Sequence, residues 1–343
     1  MKRTWLFLLS TLLLCVAVFT ITPVHAKAKN YRIVIIETSS LPIITGIKEA
    51  FLNELALLLP TDEFDIEVYN ANGLEQKASE LVRSAVKDNS PDLLVSVATL
   101  ATRAIYSSPE AASVPKLFMG VADPVAEGIV SHFGERSSGN ITGESHVLDA
   151  KVKLDMLDAL LKEAQLNRPL NIALVHSEYP SSTSAVEQLL AIDNPYKNIN
   201  FIRISTPYIE GELGLTEMKH NIVAALNENV SQLDGYWLST GPLLQADKLI
   251  EAIYEETQLL PVFAENVNSV KNGALLGIVS DDVSVGKSGA ARAKRILEGE
   301  NANDIPVTRM EKYTIAVNVS TAITMQIPIP SSYLKLAKSN VYH

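Results

Sequence analysis

The chain has 343 residues, 47% apolar and 20% charged, which suits two folded domains and excludes a disordered or fibrous chain. Its 29 basic and 39 acidic residues give a net charge of −10, which argues against nucleic acid as a partner, because phosphate binding needs a basic face. The single cysteine, Cys15, lies in an N-terminal leader, so the mature chain has no disulfide, no thiolate metal site and no cysteine nucleophile.

Residues 1–26 read as a signal peptide. Lys2 and Arg3 form a positive start, Trp5 to Val18 is almost all apolar, and Val24-His25-Ala26 places small residues at the −3 and −1 positions of a cut after Ala26. The apolar stretch is long enough for an uncleaved anchor, but the cleavage site favours secretion to the periplasm. Leu13-Leu14 lacks the small residue that a lipidation signal places just before its cysteine. Without Lys2 and Arg3 the chain keeps 27 basic against 39 acidic residues, an acidity that reads as solubility.

Tyr31 to Glu37 has the continuous apolar character of a strand buried on both faces. Ser39 or Ser40 is placed to cap a following helix with Pro42 in its first turn, and Ile44, Ile47, Phe51, Leu55 and Leu58 mark one helical face. Phe64–Tyr69, Pro91–Val97 and Val114–Met119 read as further strands, with helices over Leu74–Lys87 and Ala98–Tyr106 between them. That alternation predicts one doubly wound parallel sheet.

Leu117 to His146 then reads as a crossover. Asp123-Pro124 introduces a small helical stretch to about Val130, and Ile141-Thr142-Gly143 reads as a strand too short to be a full sheet member. Beyond it, Asp149 caps a helix whose face is Val152, Met156, Leu157, Leu160, Leu161 and Ala164. Strands are expected over Asn171–His176, Asn200–Ile204, Leu233–Leu238, Leu260–Phe263, Ala274–Ser280 and Tyr313–Val317. Helices fall over Ser182–Ile192, Leu213–Leu226 and Leu243–Thr257, in a stretch ending at Gly299, and weakly from Ser331. Two Rossmann-like α/β lobes fit this pattern, and a cleft between them is the place for a ligand.

In open parallel sheets ligands bind beyond the carboxyl ends of the strands. That rule nominates Ser39, Ser40, Thr99 and Asp123 in the first lobe, and Tyr179, Ser181, Ser182, Thr240, Glu265 and Asn266 in the second. Five of these are small hydroxyls at helix starts, where free N–H groups favour an anion such as a carboxylate; each is equally a candidate for a plain N-cap. Signals for catalysis are weak. Gly286-Lys287-Ser288 resembles the end of a phosphate loop, but Asp281 stands where its first glycine belongs. Asp281-Asp282 reads as an acidic helix start rather than an acid–base pair. No histidine of the mature chain (His132, His146, His176, His220, His343) is spaced for a metal, so no metal, cofactor or catalytic residue is assigned.

Ala122-Asp123-Pro124-Val125 with Gly128-Ile129-Val130, Gly139-Asn140-Ile141-Thr142-Gly143, Leu260–Ala264, Lys271–Ala274 and Ala293–Gly299 followed by Asp304–Val307 together resemble the ABC-transporter substrate-binding proteins of the tryptophan/tyrosine uptake type. The resemblance implies a type I periplasmic binding protein fold, hinge closure on a small-molecule ligand, no enzymatic activity, and delivery to an ABC permease in the inner membrane. The alternative is a periplasmic sensor that presents the bound form to a membrane kinase or chemoreceptor. The expected division is residues 1–26 as signal peptide, 27–143 with 265–310 as the N-terminal lobe, and 144–264 with 311–343 as the C-terminal lobe. Hinges are expected near Gly143, Glu265 and Glu311.

The sequence departs from amino-acid-binding members in three turns. Ser177–Thr183 lacks the asparagine of a Gly-Glu-Ala-Asn-Ser-like run, Ser239–Pro242 lacks the acid of a Thr-Asp-Asn-like run, and Glu37-Thr38-Ser39-Ser40 replaces a Glu-His-Pro-like run. An aromatic amino acid is therefore a candidate ligand, with Glu37, Glu265 or Asp281 as candidates for the missing acid.

Overall fold

The structure is a computed structural model that describes residues 28–163, 168–192, 198–211, 213–279 and 281–343. The expected signal peptide, with Trp5 and Cys15, lies outside the described residues.

The first lobe begins with β1 (Asn30–Glu37), α1 (Pro42–Leu58), β2 (Glu63–Asn70), α2 (Glu75–Lys87), β3 (Leu93–Val97), α3 (Thr99–Ser107), β4 (Lys116–Val121) and β5 (Ile141–Ser145). The chain then builds α4 (Ala150–Glu163), β6 (Leu170–Ser177), α5 (Pro180–Leu190), β7 (Ile199–Thr206), α6 (Gly214–Asn229), β8 (Gly235–Leu238), α7 (Leu249–Glu256), β9 (Val262–Ala264), α8 (Val267–Lys271) and β10 (Leu276–Val279) of the second lobe. It returns to the first with α9 (Asp282–Leu297) and β11 (Thr308–Arg309). It ends in the second with β12 (Thr314–Asn318), α10 (Val319–Met325), α11 (Ser331–Ala337) and β13 (Val341–Tyr342).

The first sheet runs β11-β5-β4-β3-β1-β2 and is parallel throughout. The second runs β13-β12-β10-β9-β8-β6-β7 and is parallel except where β10 meets β12. Both faces of each sheet are covered. In β1, Ile33 and Ile35 pack with α1 and α9, while Val34 and Ile36 pack with α2 and α3. A strand buried on both sides must be apolar at every position, which is why YRIVIIE shows no alternation.

The structure moves several expected boundaries. β10 pairs with β9 and β12, so residues 265–279 stay with the second lobe and the chain crosses between β10 and α9, not at Glu265. β5 is an interior strand between β4 and β11 and not a fragment outside the sheet. It fits there because a Cβ at Gly143 would stand 2.5 Å from Phe118. Pro124 to Gly128 forms turns, not a helix. The helix expected over Leu243–Thr257 is a 3₁₀ turn, Pro242–Gln245, followed by α7, with Lys248 left-handed at φ 54° between them. On α4 the buried face is rotated: Lys153, Leu154 and Asp158 are buried, while Val152 and Met156 are only half-buried.

The first lobe is discontinuous in sequence, and α1 against α9 joins its two pieces. Gly286 makes the contact close: a Cβ at 286 would lie 2.5 Å from the Ile47 carbonyl and 2.7 Å from the Phe51 amide, while Gly289 lets α9 approach Met119 of β4. Gly286-Lys287-Ser288 is therefore a helix-packing sequence and not a phosphate loop. Gly286→Val is expected to lower the unfolding free energy in urea by about 2–3 kcal/mol, because the backbone it strikes cannot yield. Lys287→Ala, at an exposed lysine whose ion pair reaches Glu54 of α1, should change it by less than about 0.5 kcal/mol.

Candidate functional site

In a parallel sheet every strand is followed by a helix running back, so strand carboxyl ends and helix amino ends share one edge. Here the two lobes turn those edges toward each other across a cleft of about 380 Å³. Of the nominated residues, Ser39, Ser40 and Thr99 line it from the first lobe, and Tyr179, Ser181, Thr240, Glu265 and Asn266 from the second. Its apolar wall includes Ile43, Ile44, Ile47, Leu215, Met218 and Leu244.

Three nominated residues stand elsewhere. Asp123 accepts from the Val125 and Ala126 amides, and its other oxygen accepts from Ser184 Oγ at 2.6 Å and Gln188 Nε2 at 2.7 Å on α5. It ties the lobes together outside the cleft lining. Ser182 is buried behind the wall, where a Cβ on Gly241 would collide with its Oγ; Gly241, at φ 132°, also holds a backbone that favours glycine. Asp281 caps α9, accepting from the Ser284 amide at 3.0 Å and Oγ at 2.8 Å. It lines an adjoining recess of about 280 Å³ together with Asp282, whose carboxyl burial pushes up to about 6.

The hydroxyls at the helix starts do not act as N-caps. The N-cap residues of α1, α3 and α5 make no side-chain hydrogen bond to their own first turns. By contrast Asn266, Asp281 and Asn318 cap α8, α9 and α10 in the ordinary way. The first turn of α3 is closed from outside instead. Thr38 Oγ1 accepts from the Ala101 amide at 3.1 Å, and the Tyr179 hydroxyl of the second lobe lies close to the Leu100 backbone. α1 and α5 have no such closure among the described residues. Ala98, preceding α3, has φ 72° and ψ 171°, a region almost reserved for glycine, and such strain concentrates at ligand sites.

Two tyrosines of the second lobe bridge the cleft. Tyr179 and Tyr208 pack edge to face at 4.9 Å, and the Tyr208 hydroxyl donates to the Gly73 carbonyl of the first lobe at 3.3 Å. Burial raises the Tyr179 hydroxyl well above the ordinary tyrosine range, so it stays protonated.

The acids proposed for an ammonium are already engaged. Glu265 accepts from Lys153 Nζ at 2.7 Å and from Trp237 Nε1 at 2.9 Å, in a cluster whose Lys153 and Glu265 side chains are only 2% and 5% exposed. Glu37 pairs with Lys48 at 2.9 Å. Strand alternation separates Tyr236 from Trp237 as expected, each in the core on its own face of the sheet. Asn266 spends its amide on the Leu244 carbonyl and its oxygen on the Ser269 amide.

Sequence reasoning missed His146, Tyr208 and Lys153. His146 follows β5 at the crossing between lobes, lines both the cleft and the recess, and sets Nε2 3.5 Å from Thr240 Oγ1 of the second lobe. Its Nδ1 has no partner among the described residues. A polar residue directly after a strand at a crossing was the available signal; a lone histidine without a spaced partner concealed it. Nothing in the α4 pattern separates Lys153 from an exposed lysine, since its partner lies 112 positions away.

A family model described as ABC transporter substrate binding protein matches residues 32–341. The tyrosine-binding protein of Clostridioides difficile (strain R20291) is 24% identical over 281 residues, 81% of this chain and 76% of that protein. An ABC domain from Streptococcus pneumonia solved in complex with L-Trp superposes with a TM-score of 0.75 at 20% identity, covering 92% of this chain and 100% of that one. A conserved domain protein from Vibrio cholerae gives a TM-score of 0.76 at 20% identity, with 92% and 100% covered. The shared architecture is the two-lobed type I periplasmic binding protein fold.

Desolvation lowers the His146 imidazole from 6.5 to about 4, with Lys153 nearby lowering it further, and the Val121 backbone and Glu265 opposing. The folded protein therefore holds this ring neutral at a pH where the unfolded chain protonates it. Its contribution to stability is complete above about 6.5 and is lost as pH falls toward about 4, in total about 3 kcal/mol. His146→Asn should remove that part of the acid-induced loss, measured as the difference between urea melts of variant and parent at neutral pH and near pH 4.5.

Proposed function

Given that the chain belongs to the ABC transporter substrate binding protein family, we propose that it is exported, captures a small organic carboxylate between its lobes and delivers it to an ABC importer. Members of this family are non-enzymatic binding proteins that act outside the cytoplasm, taking a small ligand and working with a permease. The finer reading is an amino acid, with an aromatic one as candidate, or a related carboxylate. The names of the tyrosine-binding relative and of the L-Trp complex favour an aromatic candidate.

The observation that carries the reading is the pairing of chemistries in the cleft. Two helix amino ends without side-chain caps, those of α1 and α5, open onto it, and the rest of the wall is aliphatic and tyrosine. Backbone N–H groups and the helix dipole favour a carboxylate there. The aliphatic wall favours an apolar body, and enclosure between lobes desolvates both. Ser39, Ser40 and Ser181 supply hydroxyl donors, and Tyr179 and Tyr208 hold the lobes together across the ligand. Hinge motion belongs to the crossings after β5, between β10 and α9, and between β11 and β12, because hinges are few residues at element ends. Export follows from cleavage after Ala26, giving a periplasmic protein that begins at Lys27.

A thermal-shift screen of that protein against amino acids and small carboxylates tests the reading. A ligand at about 100 times its Kd adds roughly 2.7 kcal/mol, which gives a clear rise in Tm. No rise with any member of the set contradicts the proposal. In the protein from Lys27, Trp237 is the one tryptophan. It donates to Glu265 of the cleft wall, so a bound ligand should change its fluorescence. Ser40→Phe, an exposed position on the cleft, should weaken that response roughly tenfold or more in ligand concentration while leaving urea stability within about 0.5 kcal/mol. Equal affinity in Ser40→Phe would place the site elsewhere.

A further inference from the structure

Resting on that reading, we propose that the ligand is an apolar carboxylate without an α-amino group, and that Lys153 imposes this choice by neutralising Glu265.

Glu265 is the one acidic residue among the described residues that line the cleft, and no lysine or arginine lines it. An ammonium group that leaves water for such a cleft needs a carboxylate to compensate its lost hydration. Glu265 is the only side chain there able to do so, and its charge is already cancelled. Lys153 Nζ stands 2.7 Å from one oxygen and Trp237 Nε1 2.9 Å from the other, with both charged side chains at least 95% buried. A ligand ammonium on Glu265 would be the second cation on one buried carboxylate, with Lys153 behind it and no further anion to balance the pair. The remaining acids give no alternative. Glu37 is paired with Lys48 and is absent from the lining; Asp281 and Asp282 line the recess and not the cleft.

The donor side is complete without an amine. Ser181 lines the cleft in the first turn of α5, and Ser39 and Ser40 line it just ahead of α1, both helices having no side-chain cap. His146 also lines it, on a ring 9% exposed and held neutral, and its Nδ1 lacks a partner among the described residues. The site therefore offers hydrogen-bond donors and an apolar wall, with net charge close to zero. An anion gains from both; a zwitterion gains from the donors and loses where its ammonium is desolvated.

The test is calorimetry on the exported chain with pairs of ligands that differ only in the amine. L-phenylalanine is compared with 3-phenylpropanoate, and L-leucine with 4-methylpentanoate. The amine-free member of a binding pair is expected to bind at least roughly tenfold more tightly. An amino acid that binds as tightly as its amine-free partner, or more tightly, overturns this inference and leaves the carboxylate-binding reading standing. Silence from every pair overturns both.

Lys153→Met uncovers the Glu265 charge and should shift the ratio of affinities toward the amino acid by roughly tenfold. The double variant Lys153→Met/Glu265→Gln, which keeps the cluster neutral, should restore the preference for the amine-free ligand. A structural role alone would change both affinities together. An unchanged ratio in Lys153→Met therefore removes Lys153 from the proposal. Should that variant not fold, the double variant and the parent carry the same comparison, and a double variant that prefers the amino acid overturns it.

Discussion

Parallel strand pairing is the constraint from which the rest of this molecule follows. A strand that continues parallel to its neighbour must be reached by a connection back across the sheet, here by helices on both faces. The connections gather strand carboxyl ends and helix amino ends on a single edge. Two such edges, placed face to face, make a cleft whose walls are turns and helix starts, the segments best able to present backbone N–H groups. The antiparallel pairing of β12 marks where the chain stops obeying this rule and returns to close the second lobe.

Within that frame the electrostatics are conservative. Four of the acids near the cleft have a partner or bind backbone. Lys153 and Trp237 hold Glu265, Lys48 holds Glu37, the first turn of α9 holds Asp281, and α5 holds Asp123. What is left open is neutral and hydrogen-bonding. α8, α9 and α10 use their own asparagine and aspartate caps, whereas α1 and α5 begin at the cleft without side-chain caps. An uncapped helix start leaves amide donors unpaired, a cost that a bound anion offsets. The contacts between lobes have a different chemistry. Asp123 with Ser184 and Gln188, Arg309 with Gln188, and Tyr208 with Gly73 are polar and part-buried, which suits surfaces that must part and meet again.

Much of the candidate site was legible because it depends on position along strands. Ser39, Ser40, Thr99, Tyr179, Ser181, Thr240, Glu265 and Asn266 were nominated by lying after strand ends, and they share one cavity. Asp123, Ser182 and Asp281 satisfied the same rule and serve elsewhere, as a link between lobes, as packing against Gly241 and as a helix cap. Position after a strand says that a side chain is near the edge, and it says nothing about which neighbour claims its polar atoms. Lys153 shows the opposite case. On a helix face it reads as solvent-exposed, and only Glu265, brought in from the far end of β9, makes its burial favourable.

By itself the sequence determined the alternation of strand and helix, the two-lobe division and the family, because these rest on local periodicity and on short motifs along the chain. Only the tertiary structure decided where the chain crosses for the second time. The apolar run of β10 suits either sheet, and its pairing with β9 and β12 settles the matter. The same holds for β5, whose five residues become an interior strand once Gly143 lets Phe118 approach. It holds for the neutral cluster of Lys153, Glu265 and Trp237 as well. Charge compensation in a buried site is a property of distances between residues far apart in the chain, and no local pattern encodes those distances.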